Sequence, residues 1–183
     1  MVMLILFYKA GFNVAVAHCN FNLRGTDSDA DEELVKTICR KNNIPFFTKS
    51  FNTTEFAEKN KISIQMAARE LRYNWFEKIR QSEKLDYIAT AHHKNDVAET
   101  ILINLAKGTG LSGLHGIREK SGKIIRPLLS FTREQIEAYV SANNIEYRED
   151  KSNGNNKYTR NSVRLDVIPL LEKINPNVIE NLN

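Results

Sequence analysis

Tyr87-Ile88-Ala89-Thr90-Ala91 runs directly into His92-His93-Lys94-Asn95-Asp96-Val97-Ala98-Glu99-Thr100, then into Ile101-Leu102-Ile103-Asn104-Leu105 and Gly108-Thr109-Gly110. The first five residues are a short apolar run with β-forming side chains, and the later ones carry apolar positions at helical spacing. A buried strand therefore hands over to a helix here, and ligands of open α/β sheets bind at such crevices. His92, His93, Asp96 and Glu99 put four titratable groups at that hand-over. Asp96 and Glu99 are three apart on one helix face, while Val97, Ile101, Leu102 and Leu105 are expected to line the opposite, core-facing stripe. On that reading both carboxylates are free to face a ligand.

The pattern extends in both directions. A strand is expected over 13–19, then a helix over 29–43 opened by the capping sequence Ser28-Asp29-Ala30-Asp31. A strand over 44–51, a helix over 63–82, a strand over 86–91 and a helix over 96–107 follow. Such alternation predicts an α/β fold with a mainly parallel sheet covered by helices on both faces. After Gly108 the glycines Gly110, Gly113, Gly116 and Gly122 mark a turn-rich connection to Ile124-Ile125-Arg126-Pro127-Leu128. Thr132 with Gln135 forms a capping box for a helix ending near Asn143. A polar loop over 149–158 precedes a last helix over about 159–171. The whole is read as one domain over 1–183, an α/β core over 1–130 and a helical extension over 131–183.

At 183 residues the chain can bury one ordinary core. Its hydrophobic share of 42% and charged share of 26% are those of a globular protein. A net charge of +4 and a pI near 9.0 permit an anionic partner without requiring one. Cys19 and Cys39 have neither CxxC spacing nor a disulfide-rich context, which favours a reducing, cytoplasmic home and disfavours metal ligation by the pair. The opening run Met1-Val-Met-Leu-Ile-Leu-Phe-Tyr8 lacks the basic flank and cleavage site of a signal peptide. Lys9 and Asn13 end it well short of the roughly 20 apolar residues of a membrane span, so it reads as a buried helix with no membrane role.

Four groups can carry chemistry. His92, His93, Asp96 and Glu99 offer acid-base capacity or hard-metal ligands, or else only complement a helix dipole. Ala17-His18-Cys19-Asn20-Phe21-Asn22-Leu23-Arg24-Gly25 ends the first strand in a polar loop; it can read a planar base, or it is an ordinary surface loop. Converging strand ends are expected to bring it near His92. Ala67-Ala68-Arg69-Glu70-Leu71-Arg72-Tyr73 places Arg69 and Arg72 on one helix face, suited to phosphate or carboxylate, with a structural ion pair near Glu70 the alternative for Arg69. Trp75 and Phe76 just beyond should anchor the core. Arg160-Asn161-Ser162-Val163-Arg164 repeats arginine at i, i+4, either against a phosphate backbone or on a solvated face.

Taken in order, these blocks resemble the catalytic domain of the bacterial tRNA(Ile)-lysidine synthase family. The resemblance also rests on Gly108-Thr109-Gly110-Leu111, Arg126-Pro127-Leu128-Leu129 and Glu149-Asp150-Lys151-Ser152-Asn153, and it covers nearly the whole chain. It implies a Rossmann-like N-type ATP pyrophosphatase (PP-loop, adenine nucleotide alpha hydrolase-like) fold. It further implies a reaction in which ATP adenylates the C2 carbonyl oxygen of the wobble cytidine of a tRNA(Ile) with a CAU anticodon, and the amine of free L-lysine then displaces AMP from C2. Carried over, Asp96 and Glu99, framed by His92 and His93, would handle lysine and the reacting centre. Arg69 and Arg72 would stabilise phosphate charge, while Ala17, His18 and Asn20 would cup the adenine. Arg126, Arg160, Asn161 and Arg164 would serve tRNA binding or closure of the site. ATP with Mg²⁺, the tRNA and L-lysine are the implied partners, and a homodimer is compatible with the resemblance. The family's Ser-Gly-Gly-x-Asp-Ser phosphate loop and first strand do not occur in this sequence; Met1-Val2-Met3-Leu4 resembles the residues just after the loop, and the family's C-terminal domains are likewise missing. The chain is thus expected to be a fragment, inactive by itself. Two other readings stay open: a metal-dependent phosphohydrolase built on His92, His93 and Asp96, and a non-catalytic tRNA-binding module built on the arginine helix.

Overall fold

The structure, a computed structural model, describes residues 1–23, 25–148 and 159–183. Arg24 and the polar loop over 149–158 lie outside the described residues. The chain divides into two compact units, one of Met1 with Met3–Ile88 and one of Val2 with Ala89–Asn183. The boundary between these units falls before the helix opened by His93, which packs with the C-terminal helices.

In the first unit, α1 (Val2–Lys9) is followed by β1 (Val16–Asn20), α2 (Thr26–Lys41), β2 (Phe46–Ser50), α3 (Thr53–Asn60) and α4 (Ile64–Ser82). β1 and β2 pair in parallel, with Val16 opposite Phe46 and Asn20 opposite Ser50. The α1 helix is only half-buried, Val2 alone being buried, so the opening apolar run is not the buried helix its composition suggested. α2 starts at Thr26, ahead of the expected capping sequence, and has no side-chain cap. Asp27 and Asp29 instead complement the dipole in its first turn, while Ser28 is buried. α3 has no counterpart in the sequence reading, although Asn52 caps it by accepting the Glu55 N–H at 3.3 Å. Ser63 caps α4 in the same way through Met66 N–H at 3.2 Å. Trp75 is buried as expected, within a ring series in which Phe21 stacks on Phe51 and Phe51 meets Trp75 edge-on at 6.1 Å.

The second unit takes its start within β3 (Ile88–Ala89), followed by α5 (Lys94–Ala106), a 3-10 turn at Leu111–His115, β4 (Lys120–Ser121) and β5 (Ile124–Ile125). These strands form a three-stranded sheet in the order β3-β5-β4, with β4 and β5 antiparallel. The glycine-rich connection therefore contains a hairpin that turn signals alone did not reveal. α6 (Arg133–Ala142) begins with the expected capping box, Thr132 Oγ1 accepting the Gln135 N–H and the Gln135 carboxamide accepting the Thr132 N–H. The last helix is longer than read: α7 (Thr159–Ser162), a π-helical turn at Val163–Val167 and α8 (Ile168–Ile174) run on, and α9 (Val178–Asn181) follows.

α5 is the axis of this unit. Ala98 packs with Val163, Ile168 and Ile179, while Val97 and Ile101 pack with Leu129. The helix is thus covered on several sides, and its apolar stripe differs from the sequence expectation: Leu105 is 59% exposed, whereas Glu99 is 0% exposed. A neighbouring helix, invisible to periodicity, covers the face that was assigned to a ligand.

Candidate functional site

The hand-over from β3 to α5 builds a polar cluster within the second unit. Thr90 Oγ1 hydrogen-bonds His92 Nδ1 at 3.0 Å, fixing the first histidine ring just beyond the strand. The His93 backbone N–H donates to Asp96 Oδ2 at 3.0 Å, so Asp96 closes the N-terminus of α5. His93 Nε2 lies 3.5 Å from the same oxygen, and its buried Nδ1 has no hydrogen-bond partner among the described residues. Asp96 and His93 therefore form an adjacent acid-base pair. Thr100 donates its hydroxyl back to the Asp96 carbonyl at 2.7 Å.

Glu99 lies one turn on and has a different environment. Arg160 Nε donates to Glu99 Oε2 at 2.6 Å, Arg164 Nε donates to Oε1 at 2.6 Å, and Arg164 Nη2 reaches Oε2 at 3.2 Å. Arg160 Nη2 also donates to the Asp96 carbonyl at 3.2 Å and to Thr100 Oγ1 at 3.1 Å. These bonds explain how a carboxylate is tolerated with no exposed surface, since removing an ion from water costs several kcal/mol unless cations and hydrogen bonds replace the solvent. They also hold the Arg164 pKa above its usual range, chiefly through the hydrogen bond from Arg164 to Glu99. The i, i+4 arginine pair thus grips a buried acid, a third possibility beside phosphate contact and solvated face. The expectation that Glu99 is free to meet a ligand does not hold. Asp96 keeps the greater freedom: its Oδ1 is 3.7 Å from Arg160 Nη2 and accepts no hydrogen bond among the described residues. Asn161 lies on α7 between Arg160 of the same helix and Arg164 of the π-helical turn that follows.

The other expected site residues fall in the first unit. Asn20 is buried and occupied: Nδ2 donates to Asp29 Oδ1 at 3.1 Å and Glu32 Oε2 at 3.3 Å, and Oδ1 accepts the Asn22 N–H at 3.0 Å. It fixes the loop leaving β1, whose Ala17 and His18 are half-buried in the parallel pair with β2. Arg69 stacks over the Tyr73 ring at 4.9 Å and Arg72 over the Phe21 ring at 5.1 Å, and among the described residues Arg69 makes no ion pair near Glu70. Burial pushes the Cys19 thiol up to about 11, against the opposing attraction of Arg72. Arg126, in the second unit, is buried and donates from Nη1 to the Arg118 carbonyl. Thr90 and Thr100 were not singled out from sequence; only their spacing from His92 and Asp96 could have marked them.

A divalent cation does not fit the acidic pair, because both Glu99 oxygens face arginine and one Asp96 oxygen faces a backbone N–H. Among the described residues no group of three or more His, Cys, Asp or Glu side chains is placed to hold a metal. The phosphohydrolase alternative therefore finds no donor set there. Among the same residues, no helix is long and apolar enough to cross a membrane.

The family model described as a PP-loop domain matches residues 1–171. The chain belongs to the PP-loop domain family. This PP-loop chain is 47% identical over 180 residues to a protein of Bacteroides thetaiotaomicron named tRNA(Ile)-lysidine synthase, the match covering 98% of the chain and 42% of that relative. Proteins of the same name from Porphyromonas gingivalis (strain W83) and Chlorobaculum tepidum are 45% and 46% identical, over 98% and 87% of the chain and 40% and 48% of their own length. The PP-loop chain thus spans less than half the length of these curated relatives. Among solved structures, the U34-tRNA thiolase NcsA from Methanococcus maripaludis with its [4Fe-4S] cluster superposes with a TM-score of 0.80 at 19% identity, over 99% of this chain and 65% of that one. The likeness is one of fold, and it agrees with the α/β architecture of parallel strands flanked by helices.

Proposed function

We propose that this chain is the ATP-using catalytic portion of a tRNA(Ile)-lysidine synthase, joining L-lysine to C2 of the wobble cytidine of a tRNA(Ile) with a CAU anticodon. The observation that carries the reading is 47% identity over 98% of the chain to a protein of that name. In the proposed reaction the cytidine C2 oxygen attacks the α-phosphorus of ATP and pyrophosphate leaves. The lysine side-chain amine then attacks C2, AMP departs with the oxygen, and the amine loses its proton.

The geometry supports a division of labour among the acidic residues. Asp96 is the carboxylate with an oxygen to offer an ammonium, and His93 beside it is placed to accept the proton that the amine must lose. Glu99 acts through Arg160 and Arg164 as a positioning residue, holding the helix that borders Asp96. Arg69 and Arg72, together with the loop at Ala17 and His18, are proposed to contact nucleotide. Magnesium enters this proposal only as the companion of ATP, held by none of the residues described. A cytoplasmic location follows from the tRNA substrate.

The test is a chimera in which residues 1–183 replace the matching segment of the Bacteroides thetaiotaomicron relative. With ATP, labelled lysine and CAU-anticodon tRNA, label should enter the tRNA, and Asp96→Asn should lower the rate by about 10²-fold or more, the range of lost acid-base catalysis. A folded chimera that binds the tRNA but transfers no lysine would overturn the reading.

A further inference from the structure

Arg126 is the buried cation that the clamp around Glu99 does not explain. It is 9% exposed, yet its only hydrogen bond from the guanidinium among the described residues runs from Nη1 to the Arg118 carbonyl. Its Nε is buried without any partner, and no carboxylate pairs with it among those residues. Arg160 and Arg164 show the contrast, since each meets Glu99 at 2.6 Å. A guanidinium taken out of water without an anion is strongly disfavoured, and a buried N–H without an acceptor adds to that penalty. An anion from outside the chain removes both costs.

The occupied nitrogen decides what that anion looks like. Nε and Nη2 lie along one edge of the guanidinium, and their N–H groups point in parallel, matching two oxygens of a carboxylate or phosphate. The Arg118 carbonyl takes Nη1 and leaves Nε and Nη2 without a hydrogen-bond acceptor among the described residues. The backbone on either side of Arg126 is tied to the strand-to-helix hand-over that carries the cluster described above. Thr90 N–H donates to the Ile125 carbonyl at 3.0 Å, and Lys94 N–H donates to the Phe131 carbonyl at 2.9 Å. Leu129 between these points packs on Val97 and Ile101 of α5. The segment from Ile125 to Phe131 is therefore bonded to both sides of His92-His93.

We infer that Arg126 is an oxyanion-binding residue, whose Nε and Nη2 edge takes two oxygens of a substrate carboxylate or phosphate group beside Asp96. The choice of probes rests on the proposed lysidine reading; the inference about Arg126 does not. The Nε–H group is itself observable by ¹H–¹⁵N NMR of the whole chain, with Arg126→Lys identifying its signal. Inorganic phosphate, L-lysine, lysinamide and a CAU anticodon stem-loop RNA are titrated separately. Saturable movement of the Arg126 signal by at least one oxyanion is expected, and Arg126→Lys should weaken binding of that probe about tenfold by removing the paired donors. Movement by lysine but not lysinamide identifies a carboxylate as the ligand; movement by the RNA or phosphate but not lysine identifies a phosphate. If lysine and RNA shift backbone amides while the Arg126 signal stays still under every probe, the inference is overturned and the lysidine reading survives. If phosphate alone moves the signal and neither lysine nor RNA binds, the inference stands and that reading falls. No movement under any probe, or equal binding by Arg126→Lys, leaves Arg126 as a tie to the Arg118 carbonyl and overturns the inference.

Discussion

A carboxylate without exposed surface persists where cations replace its water, and Glu99 meets that condition through Arg160 and Arg164. Removing its charge leaves two guanidinium groups facing a neutral amide. The arginine side chains are 42% and 22% exposed, so water recovers part of the loss and moderates the full penalty of a broken buried pair. Glu99→Gln should therefore lower stability by about 2–3 kcal/mol, read as a drop in the urea midpoint, whereas an unchanged midpoint would show the clamp to be energetically neutral. Cys19 makes the opposite kind of case, a neutral group that burial keeps neutral. Its thiol is raised from 9.0 to about 11, so below 9 its thiolate is about a hundredfold scarcer than that of an unperturbed cysteine. Alkylation by iodoacetamide at pH 8 should be slowed by that factor. Because Arg72 attracts the thiolate, Arg72→Gln should slow the reaction further.

At the scale of elements, close approach to α5 fixes the connection after it. Gly116 has a φ of +58°, and a Cβ there would stand 2.7 Å from Val97 Cγ1 and 3.2 Å from Ile101 Cγ1. Gly122 has nearly the same φ, +59°, but open space around it. Gly122→Ala should cost about 1 kcal/mol from backbone strain alone, and Gly116→Ala about 2–3 kcal/mol because overpacking is added. Thermal unfolding of the two variants separates the terms, and equal losses would remove the packing argument. Elements of this kind differ in how far they could be read. The strand-to-helix hand-over at Ala91-His92, the Thr132 capping box and the buried Trp75 follow from local chemistry, and local chemistry is what sequence displays. α3 escaped because its eight residues are short and polar, and the β4–β5 hairpin because each strand has only two residues. The candidate site was legible as a list, in Asp96, Glu99, Arg160 and Arg164, but not as pairs. Arg160 is 61 residues from Glu99, and no periodicity links them.

At the scale of the molecule, the clamp joins parts of the second unit that are far apart in sequence. α5 meets α7 through Glu99 and Arg160, and the same helix packs through Ala98 on Val163, Ile168 and Ile179. Apolar packing and the ion cluster are therefore two attachments of one C-terminal segment to one helix. Weakening one attachment should lower the free energy of local opening for that segment before it lowers that of elements that make no use of it. Glu99→Gln removes the charged attachment and leaves the apolar one in place. Native-state hydrogen exchange should then show faster exchange over Thr159–Ser162, Val163–Val167 and Ile168–Ile174, with β1 and β2 of the first unit unchanged under conditions where exchange reports local opening. An increase spread evenly over both units would mean that opening is global and that Glu99 does not act on this segment in particular. An increase confined to α7–α8, accompanied in the chimera by a slower lysine transfer that Glu99→Asp restores in part, would tie the positioning role of Glu99 to the helix that carries Arg160 and Arg164.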